Sequence, residues 1–319
     1  MRVLITGGAG FIGSHLADVH IDRGDEVTVL DDFSTGQAAN IEHLETHPRF
    51  RLIVGSVLNR SLLGEAMAGC DRIYHLAAAV GVKYIIDHPL HSLRVNILGT
   101  ETVLDLANER KIPVYIASTS EVYGKTEKIP FSEGDDRVLG STRVSRWGYA
   151  NTKATDEFLS LAYYREKGLP VIIGRFFNTV GPRQSGRYGM VIPRFVKAAL
   201  LGHPLTVFGT GEQTRCFLDV EDAVRFVLAL FDSGNAFGDV FNIGSTERIS
   251  ILDLAYKVKE MTGSSSEIEF VPYEKAYEQG FEDMLHRVPD MTKFENAVGL
   301  KPKYSLEEIL GRVIEYYRR

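Results

Sequence analysis

Tyr149 and Lys153 are placed to work as one acid–base unit. Four residues apart on a predicted helix, they share a face. An ammonium beside a phenol favours the phenolate and lowers its pKa. A tyrosine tuned in this way exchanges a proton with a substrate hydroxyl while hydride leaves or joins the same carbon. The spacing recurs at Tyr163 and Lys167, so spacing alone does not choose between the pairs. Tyr163 sits about 21 Å further along the helix, at about 1.5 Å per residue. Gly168 then reads as a helix stop. Ligands of doubly wound sheets bind at the strand C-termini, where the following helices begin. Only Tyr149 lies near a helix start, and Tyr163 is expected to pack or to face a second copy. The run from Ser118 to Gly124 directly follows an apolar strand, which puts Thr119, Ser120 and Glu121 at the same rim. A Thr119 hydroxyl there can bond the hydroxyl that Tyr149 deprotonates.

A second group can hold phosphate. Gly7, Gly10 and Gly13 follow a strand and open a helix, the context that a dinucleotide loop requires. Gly7 permits the tight turn, Gly10 lets the backbone approach a pyrophosphate, and Gly13 lets helix and strand pack closely. The helix start adds unpaired N–H groups and partial positive charge. Asp31 ends the second strand, where a carboxylate accepts hydrogen bonds from an adenosine ribose. It would repel a 2′-phosphate, and no Arg or Lys follows in Asp32-Phe33-Ser34-Thr35-Gly36 to offset that. NAD is therefore expected rather than NADP.

Positioning these groups takes a particular set of elements. Short apolar runs at 3–5, 27–30, 51–54, 72–76, 114–118 and 171–175 alternate with helical patterns. Strands that are apolar on both faces, repeating with helices, predict a Rossmann-type, doubly wound parallel sheet. After about residue 177 the pattern changes. Residues 178–184 read as loop, followed by helices near 190–202, 220–232, 250–262 and 305–318 and strands at 205–208 and 240–243. The expected division is an NAD-binding domain over 1–177 and a smaller α/β substrate lobe over 178–319, interleaved to some extent.

Composition narrows the classes further. The 319 residues carry a net charge of −6 with no basic stripe, which argues against nucleic acid and anionic membranes as partners. No run approaches the ~18 apolar residues of a membrane span. Cys70 and Cys216 are not expected to make a disulfide framework, and the opening directly on a strand is read as an expectation of no secretory signal. Cytoplasmic location is the expectation. His88 and His91 are three apart, but no ligand cluster completes a metal site around them. His75, in an apolar strand, is expected to be a packed, hydrogen-bonded residue, and Trp147 to belong to the core.

Together these residues resemble the extended short-chain dehydrogenase/reductase family, in particular its NAD-dependent nucleotide-sugar epimerases, dehydratases and decarboxylases. The resemblance spans the chain. It rests on Gly7 to Gly13, Asp31-Asp32, His75-Leu76-Ala77-Ala78, Asn96 to Thr100, Ser118 to Gly124, Tyr149 to Lys153, Asn178 to Arg183, Gln213 to Phe217, and Phe241 to Gly244. It implies that Phe11, Ile12, Asp32, Leu76, Ala77, Ala78 and Asn96 join the NAD contacts and that Lys153 also binds the nicotinamide ribose. It further implies that Asn178, Arg215 and Arg287 hold the nucleotide diphosphate, with Val191 to Phe195 near the base. A homodimer on helices near 92–110 and 148–167 is implied as well. Ser56 and Asn59 replace the acidic residues usual after the third strand. Ser120-Glu121 replaces the Asp–Glu pair of dTDP-glucose dehydratases, whereas GDP-mannose dehydratases do use Thr-Ser-Glu. Thr119-Ser120-Glu121 and Arg146-Trp147 resemble UDP-glucuronate decarboxylases, while the text between Lys125 and Tyr149 looks more like 4-epimerases. On that balance the expected activity is a UDP-sugar 4-epimerase, an isomerase acting on UDP-glucuronate or UDP-glucose through a 4-keto sugar. The alternatives are a UDP-glucuronate decarboxylase or another nucleotide-sugar dehydratase. A non-catalytic NAD sensor is disfavoured, because Thr119, Tyr149 and Lys153 are all present.

Overall fold

The run Arg2–Thr6 is buried from Val3 onward, as a strand covered on both faces must be. A computed structural model describes residues 1–144, 146–186, 190–272 and 284–318. In it, Arg2–Thr6 (β1) leads through the glycine loop into Phe11–Asp22 (α1) and back to Glu26–Asp31 (β2). Phe50–Val54 (β3), Arg60–Ala66 (α2), Arg72–His75 (β4), Val82–Asp87 (α3) and Pro89–Arg110 (α4) follow. Val114–Thr119 (β5), a 3-10 turn at Ser120–Tyr123, Arg146–Lys167 (α5) and Val171–Phe176 (β6) complete the repeating half.

These strands form one parallel sheet whose order, including the later Asp239–Ile243, is 239–243, β6, β5, β4, β1, β2, β3. The chain reverses direction across the sheet between β1 and β4, and the crevice of a doubly wound fold opens at that point. One apolar layer covers each face of the sheet. Leu16, Val29, Tyr115 and Phe226 belong to one layer, and Leu4, Ile73, Val103 and Ile173 to the other.

A smaller lobe caps the C-terminal edge. Asn178–Val180 (β7) lies beside Thr214–Asp219 (β9), which also pairs with Arg248–Ser250 and His286–Arg287. Leu205–Phe208 (β8) pairs with Ile268–Val271, and Val191–Leu200 (α6), Ile251–Thr262 (α8) and Leu306–Arg318 close around a third core.

The structure corrects two expectations. Asp239–Ile243, read into the smaller lobe, is the edge strand of the large sheet beside β6. Val220–Ser233 (α7) and Thr292–Val298 pack on the same sheet through Phe226 and Phe294, whose ring centroids are 4.3 Å apart. The chain therefore recrosses the division drawn at 177. An apolar strand states that both its faces are covered, but not which sheet covers them. Asn178–Val180, read as loop, is a strand too short for periodicity to reveal.

Candidate active site

The cofactor cradle is defined by what a side chain would collide with. Gly7 has φ +73°, and a Cβ there would lie 2.7 Å from the Ala77 backbone nitrogen. A Cβ on Gly13 would come within 2.3 Å of the Gly7 carbonyl oxygen. Both neighbours are backbone and cannot give way. Gly10 is the N-cap of α1 with no side-chain cap, and no acidic residue occupies the first turn. The free N–H groups and positive end of the helix therefore face the crevice unneutralised. Asp31 is buried and accepts hydrogen bonds from Ala9 N at 2.9 Å and Phe33 N at 2.8 Å. Burial pushes its carboxyl above the ordinary range. A Cβ on Gly36 would lie 2.8 Å from Asp31 Oδ1, so that glycine clears the approach to the carboxylate. These features fit the adenosine and pyrophosphate of a dinucleotide.

One cavity of 480 Å³ joins this cradle to the rim of β5 and to the smaller lobe. Gly7, Gly10, Phe11, Ile12, Gly13, Asp31, Asp32, Leu76, Ala77 and Ala78 line one end of it. Thr119, Glu121, Tyr149 and Lys153 also line it, as do Asn178, Val191, Arg215 and Arg287. Two expected site residues stand behind the wall. Asn96 is 1% exposed; its amide oxygen accepts from Ala79 N at 2.8 Å and its amide nitrogen donates to Thr152 Oγ1 at 3.2 Å. It thus ties the loop after β4 to the helix turn between Tyr149 and Lys153. Ser120 is fully buried and accepts from Arg287 Nη2 at 2.5 Å. Its part is to hold Arg287, whose Nη1 is 3.9 Å from Glu121 Oε1.

α5 starts where Tyr149 needs it to, and the wall beneath is apolar. Trp147 is buried with Val122, Tyr123, Phe131 and Ala150, in agreement with a core role. The side chain of Arg146 lies outside the described residues. Tyr163 donates to Asp105 of α4, so the second tyrosine–lysine pair packs two helices together and lies away from the cavity. Ser56 and Asn59 are local caps, Asn59 for α2 through Leu62 N; Gly55 and Val57 line the cavity instead.

The electrostatics of the pair differ from expectation. Lys153 Nζ sits 2.9 Å from Asp156 Oδ2, both buried. Its charge is balanced there before it reaches the phenol. Burial pushes the Tyr149 phenol well above its ordinary value; the charges of Glu121 and Asp156 raise it further, and Arg287 opposes them.

Several cavity residues fall within the matched stretches but have no individual role assigned to them. Arg183, held by Asp18 at 2.8 Å, has φ +69° in a loop whose geometry no periodicity predicts. Gln213 donates to Phe208 O at 3.0 Å, and Arg194 stacks over the Phe208 ring at 4.6 Å. Both belong to the smaller lobe, whose irregular pattern gives no separate part to their side chains.

Comparison with known proteins sets this site in context. The family model described as GDP-mannose 4,6 dehydratase matches residues 4–313. A UDP-N-acetyl-alpha-D-glucosaminuronate decarboxylase of Bacillus cytotoxicus is 44% identical over 99% of this chain and 98% of its own. UDP-glucuronic acid decarboxylase 1 of Arabidopsis thaliana is 38% identical over 100% of this chain and 70% of its own. The crystal structure of a UDP-glucuronic acid 4-epimerase from Bacillus cereus, in complex with UDP-glucuronic acid and NAD, superposes with a TM-score of 0.90 at 30% identity. That superposition covers 100% of this chain and 99% of the other.

Proposed function

The chain belongs to the GDP-mannose 4,6 dehydratase family of NAD-dependent nucleotide-sugar enzymes, and within it we propose that it decarboxylates a UDP-linked uronic acid. The observation that carries this reading is Arg287, here assigned to the sugar carboxylate and not to the diphosphate that the resemblance implied, which leaves Asn178 and Arg215 for the diphosphate. The Arg287 guanidinium lines the cavity beside Glu121 and Tyr149 and is held there by Ser120 at 2.5 Å. A fixed guanidinium is the group that receives a carboxylate. The whole-chain relatives named for uronate decarboxylation support the same assignment and reverse the order expected from the text between Lys125 and Tyr149. The activity is then that of a lyase rather than an isomerase.

NAD, when bound, supplies a hydride acceptor for sugar C4, can return the hydride, and brings a positive charge that would lower the buried Tyr149 phenol toward its phenolate. As the phenolate, Tyr149 takes the proton of the 4-hydroxyl, and Thr119 bonds the same oxygen. The resulting ketone is β to the C6 carboxylate. The C5–C6 bond then breaks, CO2 leaves, and the electron pair passes into the C5–C4–O4 enolate. A proton delivered to C5 closes the step, so one proton is consumed for each CO2 released. Arg287 orients the carboxylate before the bond breaks, and Glu121 orients Arg287.

Incubation with UDP-N-acetylglucosaminuronate and with UDP-glucuronate, followed by proton NMR and CO2 detection, tests the assignment. A UDP-pentose or 4-keto pentose with CO2 is expected. C4 epimers without CO2 would replace it with the second reading, a 4-epimerase, which the likeness to the Bacillus cereus enzyme favours. Arg287→Lys is expected to raise KM for the uronate about tenfold, because a point charge loses the forked contact. Equal loss on an uncharged UDP-sugar would remove Arg287 from carboxylate recognition.

The same reading extends to a homodimer. Leu90, Leu93 and Leu98 of α4 and Phe158 of α5 are exposed apolar side chains on the two helices expected to pair. Sedimentation equilibrium is expected to return twice the chain mass. A monomer at micromolar concentration would refute it.

A further inference from the structure

Lys153 is buried with a counter-charge that the proposed chemistry does not use. Asp156 is fully buried, one helical turn on, with Oδ2 at 2.9 Å from the ammonium. The Thr100 side chain of α4 lies beside the same carboxyl and opposes the rise that burial imposes on its pKa. Thr100 Oγ1 also lies 3.1 Å from His75 Nε2, and His75 Nδ1 lies 2.8 Å from Thr6 Oγ1. Thr6 Oγ1 in turn accepts from Ala77 N at 3.3 Å, on the cavity wall.

His75 is enclosed between the Thr100 and Thr6 hydroxyls, and its imidazole is neutral. Burial, helped by the Lys153 charge, pushes the His75 pKa down to about 3.

We infer that Asp156 is the positioning residue of Lys153. It anchors the ammonium by a buried ion pair, beside the Thr100–His75–Thr6 contacts that reach the strand carrying the glycine loop. Cofactor cradle and lysine are thereby held in register. The pair also sets how much of the lysine's field reaches Tyr149. The groups facing this region are Glu121 from the turn after β5, Arg287 from the smaller lobe, His75 from β4, and Glu157 on α5, itself paired with Arg175 of β6. Asp156 is the one that neutralises Lys153 directly.

The inference rests on Tyr149 and Lys153 as the working pair and on NAD as the dinucleotide, not on which sugar is turned over. Its test is Asp156→Asn in the full-length protein loaded with NAD and free of sugar. Tyrosinate absorbance is titrated against the same proteins carrying Tyr149→Phe, so that only the Tyr149 signal remains. The substitution removes a negative charge that raises the phenol and releases the ammonium's field onto it. Both changes lower the pKa, and the midpoint is expected to fall by about one pH unit. NAD affinity by calorimetry is expected to weaken about tenfold as the lysine loses its anchor. A midpoint that stays or rises in folded Asp156→Asn protein overturns the inference. Asp156→Glu disturbs the packing but keeps the charge and is expected to leave the midpoint in place; an equal fall there would trace the effect to hydration of the buried phenol and overturn the inference too. Should Asp156→Asn not fold, Asp156→Ser is read for the same two outcomes. A lowered midpoint in a protein that releases no CO2 from any UDP-uronate would sink the decarboxylase assignment and leave this one standing.

Discussion

Tyr149→Phe is expected to lower kcat by about 10^3-fold, within the range a positioned acid–base group contributes. Affinity for NAD should change by less than about twofold, since the phenyl ring keeps the packing of α5 and only the oxygen is lost. No neighbour replaces that oxygen. The Thr119 hydroxyl accepts from Glu121 N at 3.3 Å and is too weak an acid to cycle a proton. The Glu121 carboxylate is turned to the Arg287 guanidinium, 3.9 Å away. Proton removal from the 4-hydroxyl precedes every later step, so a single turnover should show NAD reduction and CO2 release falling together. Persistent NAD reduction with CO2 release alone abolished would assign the base elsewhere. The expectation is the same for a decarboxylase and for an epimerase, because both begin at C4.

The parts of the site legible in the sequence are those that sequence-local geometry makes. The glycine loop, Asp31 and the start of α5 each depend on a strand end and the helix after it, and their residues meet the cavity as the pattern implies. The relation between Tyr149 and Lys153 was legible as spacing but not as charge. A helical face says that the two side chains are neighbours. It does not say that Asp156, one turn beyond Lys153, lies closer to the ammonium than bulk water does. Asn96 and Ser120 failed in a related way. Their types suit ligand contact, yet each is turned inward by a backbone or guanidinium partner distant in sequence. The edge strand at 239–243 shows the limit for the fold. Its register beside β6 pairs Asn242 with Arg175, across a sequence gap that no local pattern bridges.

That edge also explains why the site has a rigid floor. Glu157 follows Lys153 by one turn and is buried at 5% exposure. It takes Arg175 of β6 in a fork, at 3.0 Å to Nε and 2.7 Å to Nη2, and accepts from Ser118 Oγ of β5 at 2.5 Å. Arg175 donates further to Glu133 O at 3.2 Å and stacks over the Tyr123 ring at 4.7 Å. One carboxylate therefore locks α5, β5 and β6 together beneath Thr119, Tyr149 and Lys153. Glu157→Ala leaves a buried guanidinium without its counter-charge, and such a loss costs about 3–5 kcal/mol. Urea unfolding should show that loss as a lower midpoint at an unchanged slope. The double variant Glu157→Leu with Arg175→Met removes both charges and refills the space. It is expected to recover most of the stability, because desolvating the pair offsets much of its attraction. It should not recover kcat, since apolar packing supplies no hydrogen bond to Ser118 and the spacing of Thr119 from Tyr149 is no longer fixed. A double variant as unstable as the single one would mean that volume, not uncompensated charge, sets the loss. A double variant with full kcat would mean that the fork stabilises the sheet without positioning the catalytic helix.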